Sequence, residues 1–137
     1  MTIGELFGTL QQSVVTTWRK HLKTSKYSNH MALDEFYKEM PEKVDKLIED
    51  WQGHFEQKVE DYKNVIEPGD DPIEYLKKLH DYVKDGYSLM DDESELESDL
   101  DDITGFIDSI LYKLRELRES RVSLKDYLIE CMENEEE

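Results

Sequence analysis

Nine apolar residues, Leu33, Phe36, Tyr37, Met40, Val44, Leu47, Ile48, Trp51 and Phe55, follow one another at steps of one, three or four positions. A strand with one buried face would alternate by twos, so this stripe confines the stretch to a helix with a single buried side. Such a helix cannot cover its own stripe, and the rest of the chain supplies partners built in the same way. Residues 2–24 carry Ile3, Leu6, Phe7, Leu10, Val14 and Trp18 on one face, with Thr2 and Glu5 placed as a capping box. Ile73, Leu76, Leu79, Val83, Tyr87 and Met90 predict a third helix over 72–90, opened by Asp71 as N-cap and Pro72 in the first turn. A fourth stripe runs from Leu96 and Leu100 through Ile103, Phe106, Ile107, Ile110, Leu111 and Leu114 to Leu117. Val122, Leu124, Tyr127, Leu128 and Met132 predict a short fifth helix that Ser123 could cap.

Breaks are few, with three Pro and six Gly in 137 residues. The segment from Pro68 to Pro72 is the sharpest. Pro41 falls inside the second stripe and predicts a kink or a restart there, and Gly53 an end or a bend. Beyond it Phe55, Val59, Tyr62, Val65 and Ile66 keep helical spacing, so residues 54–66 are expected to continue the helix or to form a short one of their own. The expected architecture is all-α: one domain over 1–137, an up-and-down four-helix bundle with a short C-terminal fifth helix and a frayed tail over 133–137.

Thirty-four acidic against 17 basic residues give a formal charge of −17, which repels phosphate backbones and excludes direct nucleic-acid binding as an expectation. Cations or a basic protein are the expected partners. Eight of the twelve residues over 91–102 are acidic, which suits a solvated face, a cation-attracting funnel or a surface for a basic partner. The single Cys131 forms no intramolecular disulfide, no apolar run reaches the ~18 residues of a membrane span, and MTIGELFGTLQQ lacks the pattern of a signal peptide. A cytoplasmic protein without a membrane partner is expected.

The residues with chemistry lie in and just before the longest stripe. His30/Asp34 and Asp45/Glu49 are pairs at i,i+4, each setting two potential metal ligands on one helix face a turn apart. The first residues of the two pairs are 15 positions apart, which on one helix is roughly 22 Å, far beyond a shared metal. An antiparallel two-fold dimer would bring His30/Asp34 of one copy against Asp45/Glu49 of the other. His21 lies on the stripe of the first helix and His30 opens the second, so both could join that site; each could equally be a core imidazole hydrogen-bonded to a nearby carboxylate. His54 and His80 lack an acid at convincing spacing on an apolar face and are read as solvent-exposed, outside the site. Trp18, Phe36, Tyr37 and Trp51 are read as packing in the core or at the dimer interface.

The pattern of histidine, aspartate four later, aspartate 15 after the histidine and glutamate four beyond resembles the inter-subunit site of the miniferritins, the Dps-like branch of the ferritin-like superfamily, and is met by His30, Asp34, Asp45 and Glu49. His21 occupies the place of that family's further histidine near the end of the first helix. His21-Leu22-Lys23-Thr24, Ser28, His30-Met31-Ala32-Leu33, Phe36-Tyr37, Asp45, Glu49, Gln52-Gly53 and Leu111-Tyr112-Lys113-Leu114-Arg115 are similar to small Dps-like proteins of tailed bacteriophages. The resemblance implies a ferritin-like bundle, a homo-oligomer of at least an antiparallel dimer and up to a larger shell, and Fe(II) oxidation or sequestration at the shared site, with manganese or zinc as other metals. A phage-encoded chain would act in the host cytoplasm. His21 and His30 stand nine apart, three fewer than in typical miniferritins, and no lysine-rich arm precedes the first helix, so DNA condensation is not implied. The alternative expectation is a non-catalytic scaffold whose acidic surface engages a basic host or virion protein.

Overall fold

The structure is a computed structural model that describes residues 1–120, 129 and 132. Among the described residues four α-helices, α1 (Ile3–Lys23), α2 (Tyr27–Phe55), α3 (Pro72–Asp85) and α4 (Ser94–Ser120), build the fold, with a 3-10 turn over Gly86–Leu89 between the last two. Among the described residues there is no strand. The expected fifth helix and the tail over 133–137 lie outside the described residues, apart from positions 129 and 132.

Local signals set most boundaries. Thr2 Oγ1 accepts from the Glu5 amide at 3.1 Å and Glu5 Oε1 from the Thr2 amide at 2.8 Å, so the capping box forms. Asp71 caps α3 by accepting from the Ile73 amide at 2.9 Å, with Pro72 in the first turn. The 72–90 helix predicted from the apolar spacing stops at Asp85, and Gly86 opens the 3-10 turn. Pro41 neither ends nor restarts α2, which runs unbroken past Gly53 to Phe55 and stops where Glu56 turns left-handed at φ 54°. A proline inside a helix forfeits one backbone hydrogen bond and costs about 3 kcal/mol. Fully buried Leu33, Phe36, Met40 and Leu47 on both sides of it return more, at roughly 1.5–3 kcal/mol each.

The helices enclose one apolar core, to which Leu6, Phe7 and Leu10 contribute from α1, Leu76, Leu79 and Val83 from α3, and Leu100, Ile103, Ile107 and Ile110 from α4. Helix α1 packs on α2 and α3, and α4 on α2 and α3. His21 meets His30 at one end of the α1–α2 pair and Phe7 meets Trp51 at the other, so these helices are antiparallel. Lys20 reaches the Tyr75 ring while Gly86 lies against Leu6, so α3 is antiparallel to α1 and parallel to α2. Phe36 stacks on Phe106, Lys113 pairs with Glu35 at 2.5 Å and Lys43 with Asp102 at 3.1 Å, which makes α4 antiparallel to α2. The order is therefore up, down, down, up. This corrects the up-and-down expectation: α2 and α3 run the same way and cannot be joined by a short loop.

Residues 57–70 make that connection as an extended strap along α1, which corrects the helical expectation for 54–66 beyond Phe55, where α2 ends. Backbone packs on backbone here. A Cβ on Gly4 would fall 2.0 Å from the Asp61 carbonyl oxygen, and one on Gly8 2.3 Å from the Lys63 amide nitrogen. The Lys63 amide donates to the Gly4 carbonyl at 3.0 Å and the Val65 amide to Thr9 Oγ1 at 3.0 Å, bonds an isolated helix could not offer. Near the far end the Lys20 ammonium donates to the Gly69 carbonyl at 2.7 Å.

The strap and α3 change which side of α1 is inside. Thr9, Ser13, Thr16, Thr17 and Lys20 are buried, with Ser13 donating to the Leu10 carbonyl at 2.6 Å and Thr17 to the Ser13 carbonyl at 2.7 Å. Trp18, expected in the packed stripe, is consequently 49% exposed and stacks flat on Tyr37 with ring centres 5.7 Å apart.

Candidate metal centre

The three-residue turn between α1 and α2 folds the last turn of one helix against the first turn of the other. His21, on the last turn of α1, is buried, and its Nε2 lies 3.0 Å from Nε2 of His30 and 3.4 Å from Oδ1 of Asp34. The i,i+4 spacing of His30 and Asp34 on continuous helix puts both on the side facing α1. Three of the five expected site residues therefore meet within one chain.

Their protonation follows from their neighbours. His30 Nδ1 lies 3.2 Å from the His21 carbonyl oxygen, which can only accept, so His30 Nδ1 carries the proton and donates. That leaves the His30 Nε2 lone pair aimed at His21. In a neutral pair, His21 Nε2 must then carry a hydrogen and leave its buried Nδ1 as an acceptor without a partner. Burial lowers the pKa of His21, with His30 beside it adding to the effect and Asp34 opposing it. Burial works against ionisation of Asp34, yet the hydrogen bond and charge of Lys38, 3.0 Å away, with help from Tyr37, hold its carboxyl below the usual range. The result is neutral imidazole beside carboxylate.

The two Nε2 atoms could serve one divalent metal together only if His21 moved its hydrogen from Nε2 to Nδ1. Two ligands about 2.1 Å from one ion and at right angles to each other lie about 3.0 Å apart, close to the Nε2 separation found here. The His30 Nδ1–H to carbonyl bond is the kind of outer contact that orients a metal-bound imidazole. Among the described residues, however, no three His, Cys, Asp or Glu side chains of the single chain are grouped to hold an ion. Asp34 reaches His21 without also closing on His30, and Lys38 occupies it.

Asp45 and Glu49 lie elsewhere. Because α2 is continuous, they sit roughly 22 Å along it from His30 and Asp34 and about 60° further round. Both are exposed. Asp45 borders a shallow groove between α1 and α2 that Gln11, Val14, Val15, Pro41, Val44 and Ile48 line. Asp45 and the His30/Asp34 pair thus border the α1–α2 face, at opposite ends.

His54 is exposed as expected while His80 is half-buried, and both have acidic partners that spacing along the chain does not reveal. His54 faces Asp91 at 3.3 Å and Glu93 at 3.8 Å, and His80 faces Asp108 at 3.1 Å and Asp81 at 3.5 Å with its side chain only 18% exposed. The acidic run likewise is not all solvated. Asp99 is buried against Asp50 and Lys46, and burial with the adjacent Asp50 raises its pKa.

These features define an all-helical protein with an imidazole–carboxylate cluster at the turn between its first two helices. The chain belongs to a family of unknown function, DUF5856, whose profile matches residues 21–114 and so takes in all five candidate residues. No curated protein and no solved structure matches the chain.

Proposed function

We propose that this protein is a Dps-like member of the ferritin-like superfamily that takes up Fe(II) between two antiparallel copies and oxidises it with peroxide or oxygen. The observation that carries the reading is the approach of His21, His30 and Asp34 at the α1–α2 turn, with His30 held in the tautomer that puts its lone pair on Nε2, turned toward His21. Support for the superfamily comes from the single long crossover between parallel α2 and α3, the connection that ferritin-like bundles use. Each Fe(II) substrate loses one electron to the oxidant. Carboxylates favour the more highly charged product, and neutral imidazoles suit iron, manganese or zinc.

The two-fold relation has a natural axis. Midway between the two ligand pairs lies Pro41 on α2, beside Val14 and Val15 of the groove. An antiparallel copy centred there would bury these apolar side chains together with half-exposed Trp18 and place each Asp45/Glu49 pair by the partner's histidines. Anaerobic titration with Fe(II) is expected to give about one strong site per chain, lost in His30→Ala and in Asp45→Ala/Glu49→Ala. Wild-type protein that binds no Fe(II), or a His30→Ala variant that binds as well as wild type, would refute the proposal.

The charge of −17 favours a second reading, a scaffold that engages a basic protein in the host cytoplasm. It requires capture of a basic partner that weakens with salt and survives His30→Ala. For the membrane, the finding is that no helix among the described residues is long and apolar enough to cross one.

A further inference from the structure

On the other side of the last turns of α1, away from the histidines, the strap and the start of α3 close a cavity of about 320 Å³. Arg19, Lys20 and Lys23 line it, with Gln12, Thr16 and Thr24 as neutral polar groups and Pro68, Gly69, Asp70 and Pro72 opposite. Acidic residues outnumber basic ones two to one in this chain, and Lys38, Lys43, Lys46 and Lys113 all have carboxylate partners. Arg19 and Lys23 form no ion pair and no side-chain hydrogen bond among the described residues. Cations in the last turn complement the helix dipole, which accounts for their sign but not for a cavity beside them.

Lys20 is fixed rather than free. Its residue is 8% exposed, and one of its three N–H groups is spent on the Gly69 carbonyl at 2.7 Å, in a turn where Gly69 adopts φ 58°. Thr24 Oγ1 accepts from the Lys26 amide at 3.3 Å, which leaves its own O–H to donate. Arg19, Lys20 and Lys23 against Asp70, with Asp71 also acting on Lys20, leave the cavity with a surplus of about one positive charge, which favours an anion such as a phosphate monoester. The Arg19 fork suits adjacent phosphate oxygens, and the volume exceeds that of a phosphate group, leaving room for an organic portion against Pro68 and Pro72.

We propose that this cavity binds a small organic phosphate monoester, held by Arg19, Lys20 and Lys23 between α1 and the strap. Calorimetric titration of chelator-treated, full-length protein with glycerol phosphate tests it, with glycerol as control. The monoester is expected to bind, glycerol not, and Arg19→Gln/Lys23→Gln to weaken binding at least about tenfold. Lys20→Met should do the same; if loss of the Gly69 contact prevents folding, the double variant at the rim still decides. His30→Ala should bind as wild type, which separates this cavity from the metal centre. No binding to wild-type protein, equal binding of glycerol, or an undiminished double variant would overturn the assignment.

Discussion

Tyr75 is 2% exposed, and its hydroxyl, although it faces Thr16, makes no well-formed hydrogen bond. Burial pushes its pKa up to about 12 from the ordinary 10. The folded chain therefore holds this proton more tightly than the unfolded one. The stability it contributes is complete below pH 10 and is lost as pH rises from 10 through about 12, by at most roughly 2–3 kcal/mol. Tyr75→Phe should change stability by less than about 1 kcal/mol at neutral pH, since it removes a hydroxyl without a good partner. Urea midpoints measured from about pH 9.5 to 11.5 should fall less steeply for the variant than for wild type. At this scale the sequence was a partial guide. The spacing of His30 and Asp34 announced a shared face, and His21 could be placed on the adjoining stripe. The tautomer of His30 depends on the His21 carbonyl, and the partners of His54, His80 and Asp99 come from other elements, so no spacing along the chain could reveal them.

Among the elements, the strap depends on two glycines that carry no side chain for a pattern to register. Gly8→Ala would drive a Cβ into the Lys63 backbone, which cannot swing aside as a side chain tip can. Denaturant titration should show a loss of about 2 kcal/mol or more, accompanied by earlier proteolysis within 57–70. Gly105, inside α4 with nothing within 4 Å of an added Cβ, should respond in the opposite sense: Gly105→Ala should stabilise by about 0.5–1 kcal/mol. Helices α1, α2 and α4 were legible because apolar stripes and caps state where a helix begins and which side it buries. The strap was misread because Val59, Tyr62 and Val65 keep helical spacing by coincidence, while the acceptors of the Lys63 and Val65 amides, Gly4 and Thr9, lie more than fifty residues away. The inward hydroxyl face of α1 was hidden for the same reason: what covers it arrives from a distant part of the chain.

The molecule as a whole joins two antiparallel helix pairs, α1–α2 and α3–α4, across one connection. If the metal centre is shared between copies, half of each site belongs to each subunit. Mixing His30→Ala with Asp45→Ala/Glu49→Ala under conditions of subunit exchange should then restore about a quarter of wild-type Fe(II) sites, because each mixed dimer regains one intact site of two. Zero recovery despite demonstrated exchange would show that the two ligand pairs do not form a site shared between copies. The crossover has a further consequence. Since the strap lies on the outside of α1 and threads through nothing, the chain is divisible: severed at the exposed Gly69 turn, its halves would be two hairpins with complementary apolar faces, able to reassemble without the covalent link.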